Sequence, residues 1–494
     1  METLDNIQSV SKFIPELILI VFAIAVVISD FFAKGRRETL AIIALVGLIA
    51  TLISVLAVSI GETGESLFMG MIKLDSFALF FKVLFIIATF ATILFSVRLK
   101  EIADVHRGEY YALLLTVTLG MFLLASATNL LMIYLSLELV SISSYILSGF
   151  STLKPQRSSE TSFKFIIYGA VSSGIMLFGI SLLFGMTGIS NINDIGIILA
   201  GKASSPGEVY NLTILLSILF ILAGIGYKTA SVPFHQWAPD VYEGAPTPIT
   251  AFLSVASKAA GFSLLLRFLY SAFAQPVAEG WSHIGEVNWP LILGIISALT
   301  MTVGNLSALL QNNLKRLLAY SSIAHGGYIL MAAVVLTQQG VQYMLFYLLI
   351  YLCMNLGAFF VVILIADKLG SEEIDAYRGL RSRAPIVAVS MSIFLFSLTG
   401  IPPFAGFFGK LWLFGAVIEA GSHWYWLAIV GVINSVIALY YYVRVVKAMF
   451  LEESSETGSL SISRPHLVLL IIFVIPTILL GYIGQLWKLI PSSF

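Results

Sequence analysis

Cysteine is almost missing from this sequence: Cys353 is the only one in 494 residues. One thiol cannot close a disulfide within the chain, supply the thiolates of a zinc site or hold an iron–sulfur cluster. Charge is scarce as well. Asp, Glu, Lys and Arg together make up 11% of the chain, 27 of each sign, and the basic residues are dispersed. There is therefore no electrostatic footprint for nucleic acid. The sequence also lacks a Gly-x-x-x-x-Gly-Lys-Ser/Thr loop and a Gly-x-Gly-x-x-Gly after a strand, so neither ATP hydrolysis nor dinucleotide binding has a site in it. Energy for any transport must come from a gradient or a partner.

What is present is apolar length. Residues of the apolar classes make up 59% of the chain, too many for a water-soluble domain and appropriate to a lipid bilayer. A helix needs about 20 apolar residues to cross the hydrocarbon core. That rule predicts an all-α, polytopic membrane protein of about 14 transmembrane helices, near 13–32, 39–60, 76–97, 110–126, 129–150, 163–186, 212–230, 248–271, 289–309, 316–336, 343–366, 386–419, 424–450 and 466–488. The N-terminus has no basic stretch and no small-residue cleavage site, so its first apolar run is expected to be a retained helix. Loop charges orient the spans, because cytoplasmic loops collect Lys and Arg. One side receives Lys34, Arg36, Arg37, Arg98, Lys100, Arg107, Lys154, Arg157, Lys164, Lys315, Arg316, Lys368, Arg378, Arg381, Arg383, Arg444, Lys447 and Arg464; the other receives Lys12, Lys73, Lys202, Arg267 and Lys488. The first side is expected to be the cytoplasm of a multi-pass protein in the inner (cytoplasmic) cell membrane, with both termini outside.

Two fragments recur. TASVPF at 229–234 returns as TGIPPF at 399–404, and SISSYIL at 141–147 resembles SIAHGGYIL at 322–330. They predict two five-helix units, 110–271 and 289–450, preceded by three helices in 1–109 and followed by one in 451–494. Five is odd, so the second unit enters from the opposite side: an inverted repeat, in each half of which a proline breaks the fourth helix.

A charge at the centre of a membrane helix costs roughly 2.5–3.5 kcal/mol on the translocon scale, so each one is a functional candidate. Glu138 lies mid-span in NLLMIYLSLELVSISSYILSGF, where a carboxylate cannot reach water, and Lys258 is equally central in its helix. Lys228 ends an apolar run just before Pro233, and Lys410 follows Pro402 and Pro403. Prolines at 233, 402 and 403 leave the carbonyls of Thr229, Leu398 and Thr399 without helical donors. Unwound backbone at that depth belongs against protein or a water-filled cavity, so the two breaks predict internal water. Glu138 and a lysine forming a buried pair that only fixes helix register is the competing expectation. Lys82, a turn or two from the outer end of its helix, is expected to snorkel to the headgroups. His325 is mid-span and titrates in a range that suits a relay, although a core histidine bonded to a hydroxyl is the alternative. His235, Asp240 and Glu243 follow the first break, placed either to feed protons inward or to cap a half-helix.

The segment GIGYKTASVPFHQWAPDVYEGAPTPITAFLSVASKAAG at 224–261, LKRLLAYSSIAHGGYILM at 314–331 and SLTGIPPFAGFFGKLW at 397–412 closely resemble the antiporter-like membrane subunits of respiratory complex I, over essentially the whole chain. The WAPDVYEGAPTP wording, a lysine at 410 where a sister branch carries glutamate, and an end after the last span without a long amphipathic extension resemble one branch of them. The resemblance implies a proton-translocating subunit of an NADH-quinone oxidoreductase, with roles for Glu138 as the helix-five glutamate, Lys228 as the broken-helix lysine, Lys258 as the central lysine and Lys410 as the exit lysine. His325 joins them as a candidate on the central axis. It implies further that FMN and iron–sulfur clusters are held by partner subunits, that this chain holds no cofactor or metal, that its partners are the other complex I subunits and the lipid bilayer, and that quinone is met at the level of the complex. A subunit of a multisubunit Na⁺/H⁺ antiporter, which shares the lysine logic, and a non-pumping scaffold subunit are the alternatives.

Overall fold

The computed structural model describes residues 4–32, 37–59, 64–153, 155–202, 208–278, 280–454, 458–483 and 490–491. Of the loop cations used for orientation, Lys34, Arg36, Lys154 and Lys488 lie outside them. Apolar runs become helices because a helix satisfies every backbone donor and acceptor within its own segment, the condition for lying in hydrocarbon. In chain order these are α1 (Ile14–Phe32), α2 (Arg37–Ser59), α3 (Ser76–Ser96), α4 (Arg107–Ser126), α5 (Leu130–Ser148), α6 (Pro155–Thr187), α7 (Glu208–Thr229), the short α8 (Trp237–Gly244), α9 (Thr247–Ala272), α10 (Trp289–Leu309), α11 (Leu314–Ala333), α12 (Gln338–Leu369), α13 (Pro385–Thr399), α14 (Ala405–Glu419), α15 (Tyr425–Leu451) and α16 (Arg464–Leu479).

Among the described residues eleven helices are long and apolar enough to cross a membrane, against the 14 spans expected. The other three fall short for separate reasons. Helix α11 matches the expected 316–336 span but carries Lys315, Arg316, His325 and several Ser and Gly, and it is walled in by its neighbours. The expected 386–419 span is two half-helices, α13 and α14, of 15 residues each. Helix α16 has 16 residues. Two features were not anticipated: antiparallel hairpins β1 (Glu65–Leu67) with β2 (Ile72–Leu74), and β3 (Ala274–Val277) with β4 (Gly280–His283).

The centre of the bundle is α9 and α12, whose most apolar windows are 100% and 94% buried, against 22% for peripheral α1. A side chain on α9 therefore has no route to lipid headgroups. Helix α9 widens into a π-helical turn at Leu253–Ser257, directly before Lys258, and Asn355 of α12 donates to Ser254 Oγ within it at 2.7 Å.

Buried charges fasten the helix ends. Arg267 of α9 grips Asp75 with two hydrogen bonds of 2.7 and 2.9 Å and donates to the Ala125 carbonyl at 2.8 Å, while Asp75 caps α3 through the Ala78 N–H. Arg107 donates to the carbonyls of Ser96, Val97 and Leu99, satisfying acceptors that the end of α3 leaves open. Lys82 departs from expectation. Its Nζ lies 2.6 Å from Glu16 Oε1, with both side chains buried, because α1 brings a carboxylate against α3 at that height, and Phe122 of α4 lies beside the ammonium.

Candidate functional site

Both proline-broken helices open where the sequence indicates. Helix α7 stops at Thr229 and the chain resumes helical form at Trp237; α13 stops at Thr399 and resumes at Ala405. The Thr399 carbonyl, deprived of a helical donor, accepts Lys410 Nζ at 2.9 Å and Ser435 Oγ at 3.0 Å. Gly400 makes this possible. Its φ of 88° is left-handed, and a Cβ there would lie 2.9 Å from Lys410 Cδ. At the other break, the Thr229 carbonyl faces Gly326 of α11, where an added Cβ would stand 3.5 Å from that oxygen and 4.0 Å from Lys258 Nζ. The open end of α7 and the central lysine thus meet across one glycine.

The three lysines are held alike. Lys228 Nζ donates to Ser141 Oγ of α5 at 3.1 Å. Lys258 Nζ donates to both the hydroxyl and the carbonyl of Ser322 on α11, each at 2.6 Å. Lys410 Nζ adds Ser435 Oγ of α15 at 3.0 Å and stands 4.4 Å from the centre of the Tyr328 ring, an attraction available to a cation over a π face. All three are buried, and none is within 4 Å of a described carboxylate. Ser141 and Ser322 are the leading serines of the two similar fragments, and each accepts from a buried lysine, Ser141 from Lys228 and Ser322 from Lys258.

Glu138 is not where direct pairing with Lys228 would need it. Ser141, one turn along α5, occupies the Lys228 ammonium instead, and Glu138 lines an open groove of about 460 Å³ between α5 and α6, with Tyr134, Tyr145, Ala170 and Ser173. Its Oε1 has no hydrogen-bond partner among the described residues. His325 Nδ1 is 2.7 Å from Tyr347 Oη and its Nε2 is 3.4 Å from Tyr442 Oη, so the histidine touches hydroxyls rather than either lysine. Ser322, His325 and Tyr328 recur at three-residue spacing and share a side of α11. That side runs from Lys258 past His325 to Lys410.

The serines and tyrosines of this row escaped the sequence reading. A hydroxyl in an apolar helix usually back-bonds to its own turn, and only the repeated Ser-Ile openings carried a signal. Asp240 and Glu243 are occupied in ion pairs: Asp240 with Lys164 and Arg316, each at 2.9 Å, and Glu243 with Arg316 at 2.9 Å and Arg157 at 2.5 Å. Burial pushes the Asp240 carboxyl upward, but the hydrogen bonds from Lys164 and Arg316 outweigh it and hold the group below the usual carboxylate range. His235 Nδ1 has no hydrogen-bond partner among the described residues.

Chemically, the row alternates amines with hydroxyl, imidazole and carbonyl groups. Hydroxyls donate and accept, so each amine keeps a partner whether or not it carries its extra proton.

Comparison with known proteins reaches the same architecture. A family model described as "NADH:quinone oxidoreductase/Mrp antiporter, TM" matches residues 127–438. The chain is 47% identical to the NADH-quinone oxidoreductase subunit N of Anaeromyxobacter sp. (strain Fw109-5) over 466 residues, 91% of this chain and 89% of that protein. A chain in the structure of respiratory complex I from Thermus thermophilus with bound aureothin superposes with a TM-score of 0.79 at 29% identity, covering 97% of this chain and all of that one. A chain of the Mrp complex from Dietzia sp. DQ12-45-1b matches with a TM-score of 0.80 at 20% identity, a likeness of fold alone.

Proposed function

Because this chain belongs to the NADH:quinone oxidoreductase/Mrp antiporter transmembrane family, as an antiporter-like, multi-pass membrane subunit of the complex I type, we propose that it is subunit N and moves protons across the inner cell membrane while partner subunits pass electrons from NADH to quinone. FMN and iron–sulfur clusters belong to those partners, and the coupling signal reaches this chain through its neighbours. The observation that carries the proposal is the set of three buried lysines, Lys228, Lys258 and Lys410, each held by hydroxyl or carbonyl oxygens and none by a described carboxylate. A pair built only to fix register would place a carboxylate on each ammonium, since an unpaired buried charge is costly.

In the proposed cycle the groove beside Glu138 is where an adjoining subunit acts. When Glu138 is ionised, its negative charge attracts a proton toward Lys228, with Ser141 one turn along α5 holding the amine; when that charge is neutralised, the attraction is lost. The proton passes by way of the space beside Gly326, through water admitted at the helix breaks, to Lys258, then along His325 and its tyrosines to Lys410, which releases it outward. The units 110–271 and 289–450, inverted with respect to one another, would supply the inward and outward halves of the route. The test is Lys258→Met in the assembled complex, reconstituted in proteoliposomes with NADH and quinone. The expected result is a lower number of protons moved per electron; an unchanged yield overturns the relay.

A further inference from the structure

A second feature lies on the cation-rich side of the protein, away from the lysine row. Between the end of α3 and the start of α16 there is an open groove of about 610 Å³. Its floor is apolar: Leu94, Val97, Val468, Leu469 and Ile472. Its rim is polar, with the cations Arg98 and Arg464 beside His466 and Ser463, and among the described residues no carboxylate lines it.

We propose that this groove binds an anionic phospholipid, with the headgroup phosphate held by Arg98, Arg464 and His466 and an acyl chain laid along Val468 and Ile472. The argument is one of matched polarity and depth. Val468 and Ile472 are exposed and one helical turn apart on α16, so they form a continuous apolar track leading away from the charged rim and toward the membrane interior. A soluble anion would satisfy the rim and leave the track unfilled, whereas an amphiphile fills both. Basic pockets between helices on the cytoplasmic side are where anionic headgroups bind.

The charges facing the groove from every side leave the balance positive. Glu38 at the start of α2 pairs with Arg98 at 2.9 Å, but both side chains are exposed, at 64% and 76%, and such a pair contributes little. Asp367 and Lys368 at the end of α12 bring charges of opposite sign near His466, and as a neutral imidazole His466 still donates one N–H to a phosphate oxygen. The first turn of α16, which no described side chain caps, adds the positive end of a helix dipole to the same wall.

Native mass spectrometry of the full chain in detergent tests the site, with phosphatidylglycerol, phosphatidylcholine or inorganic phosphate added. The wild type is expected to retain phosphatidylglycerol in preference to phosphatidylcholine. Replacing two cations together, Arg98→Gln with Arg464→Gln, is expected to weaken phosphatidylglycerol binding roughly 25-fold, about fivefold for each cation near the surface. The charge-preserving pair Arg98→Lys with Arg464→Lys keeps binding close to wild type, and melting temperatures of all three proteins without added lipid establish that they fold equally. Equal retention of phosphatidylcholine, unchanged phosphatidylglycerol binding in the Gln pair, loss of binding in the Lys pair, or displacement of the lipid by millimolar inorganic phosphate would each overturn the assignment.

Discussion

Gly326 stands between the open end of α7 and the amine of Lys258, and its missing side chain is the space through which the two lysines of the proposed route communicate. A methyl group there would sit at ordinary van der Waals distance from the Thr229 carbonyl and Lys258 Nζ, 3.5 and 4.0 Å, and the residue is helical, where alanine is favoured over glycine. Gly326→Ala is therefore expected to fold and pump as the parent does. Gly326→Leu places three more carbons against the carbonyl or the amine and displaces water from the gap. Proton yield per electron in proteoliposomes is expected to fall while the complex still assembles; equal yields for Ala and Leu would mean that protons do not pass this point. A second residue-level expectation concerns His325. Tyr347→Phe removes the hydroxyl 2.7 Å from Nδ1 and leaves the stacked ring in place, with centroids 6.0 Å apart. Slower pumping with unchanged thermal stability is the expected outcome, whereas a stability loss with normal pumping would make His325 a core histidine. Sequence pattern alone made His325 visible but not its tyrosines, because a tyrosine in an apolar run reads as one more large core residue until its hydroxyl finds a partner.

Among elements, α1 is the helix whose attachment the sequence concealed. Its apolar window is only 22% buried, so packing area gives it little hold, and Glu16 reads as a charge near a helix start, where acidic residues are common. The contact that matters crosses 66 residues of sequence: Glu16 against Lys82 at 2.6 Å. Snorkelling was the wrong expectation for Lys82 because α1 and α4 enclose that end of α3. Breaking a buried pair by removing one partner costs about 3–5 kcal/mol, whereas replacing both with apolar groups is often neutral. Lys82→Met alone is thus expected to lower the melting temperature of the purified chain substantially, and Glu16→Leu with Lys82→Met to restore most of it, with proton yield in the double variant unchanged. A double variant as unstable as the single would show that the pair contributes packing shape rather than compensated charge. The broken helices were far more legible than α1. Proline acts on the carbonyl four residues before it regardless of tertiary context, so Pro233 and Pro403 announced the loose carbonyls of Thr229 and Thr399, and one of them accepts the lysine of its own broken helix.

Across the whole molecule, hydropathy foretold the long helices whether lipid-facing or enclosed: peripheral α1 and central α9 and α12 all pass on length and composition. Helix α11 escapes a length-and-composition test because a helix surrounded by protein can afford histidine, serine and glycine, and those are the residues that make the site. The same enclosure creates one further dependence. On the cation-rich side α11 is fastened to α6 and α8 through Arg316, Asp240, Glu243, Lys164 and Arg157, a network that joins parts lying before and after residue 271 and holds α11 beside the α7 break. The carboxyl of Asp240 sits below its ordinary range there. A carboxylate with a depressed folded-state pKa contributes stability that is complete above its unfolded value and is lost as pH falls through the folded value. The wild-type chain in detergent is expected to keep this contribution to lower pH than an ordinary Asp would allow. Arg316→Gln removes one of the donors that lower the group, so its pKa returns toward the usual range and less stability depends on ionisation. The difference in melting temperature between wild type and Arg316→Gln should therefore be full near neutral pH and close as the solution is acidified through the carboxylate range. The same substitution in an Asp240→Asn, Glu243→Gln background should give a smaller difference with little dependence on pH. A difference that stays constant with pH in the parent background would show that Arg316 holds α11 by packing of its aliphatic stem rather than by charge.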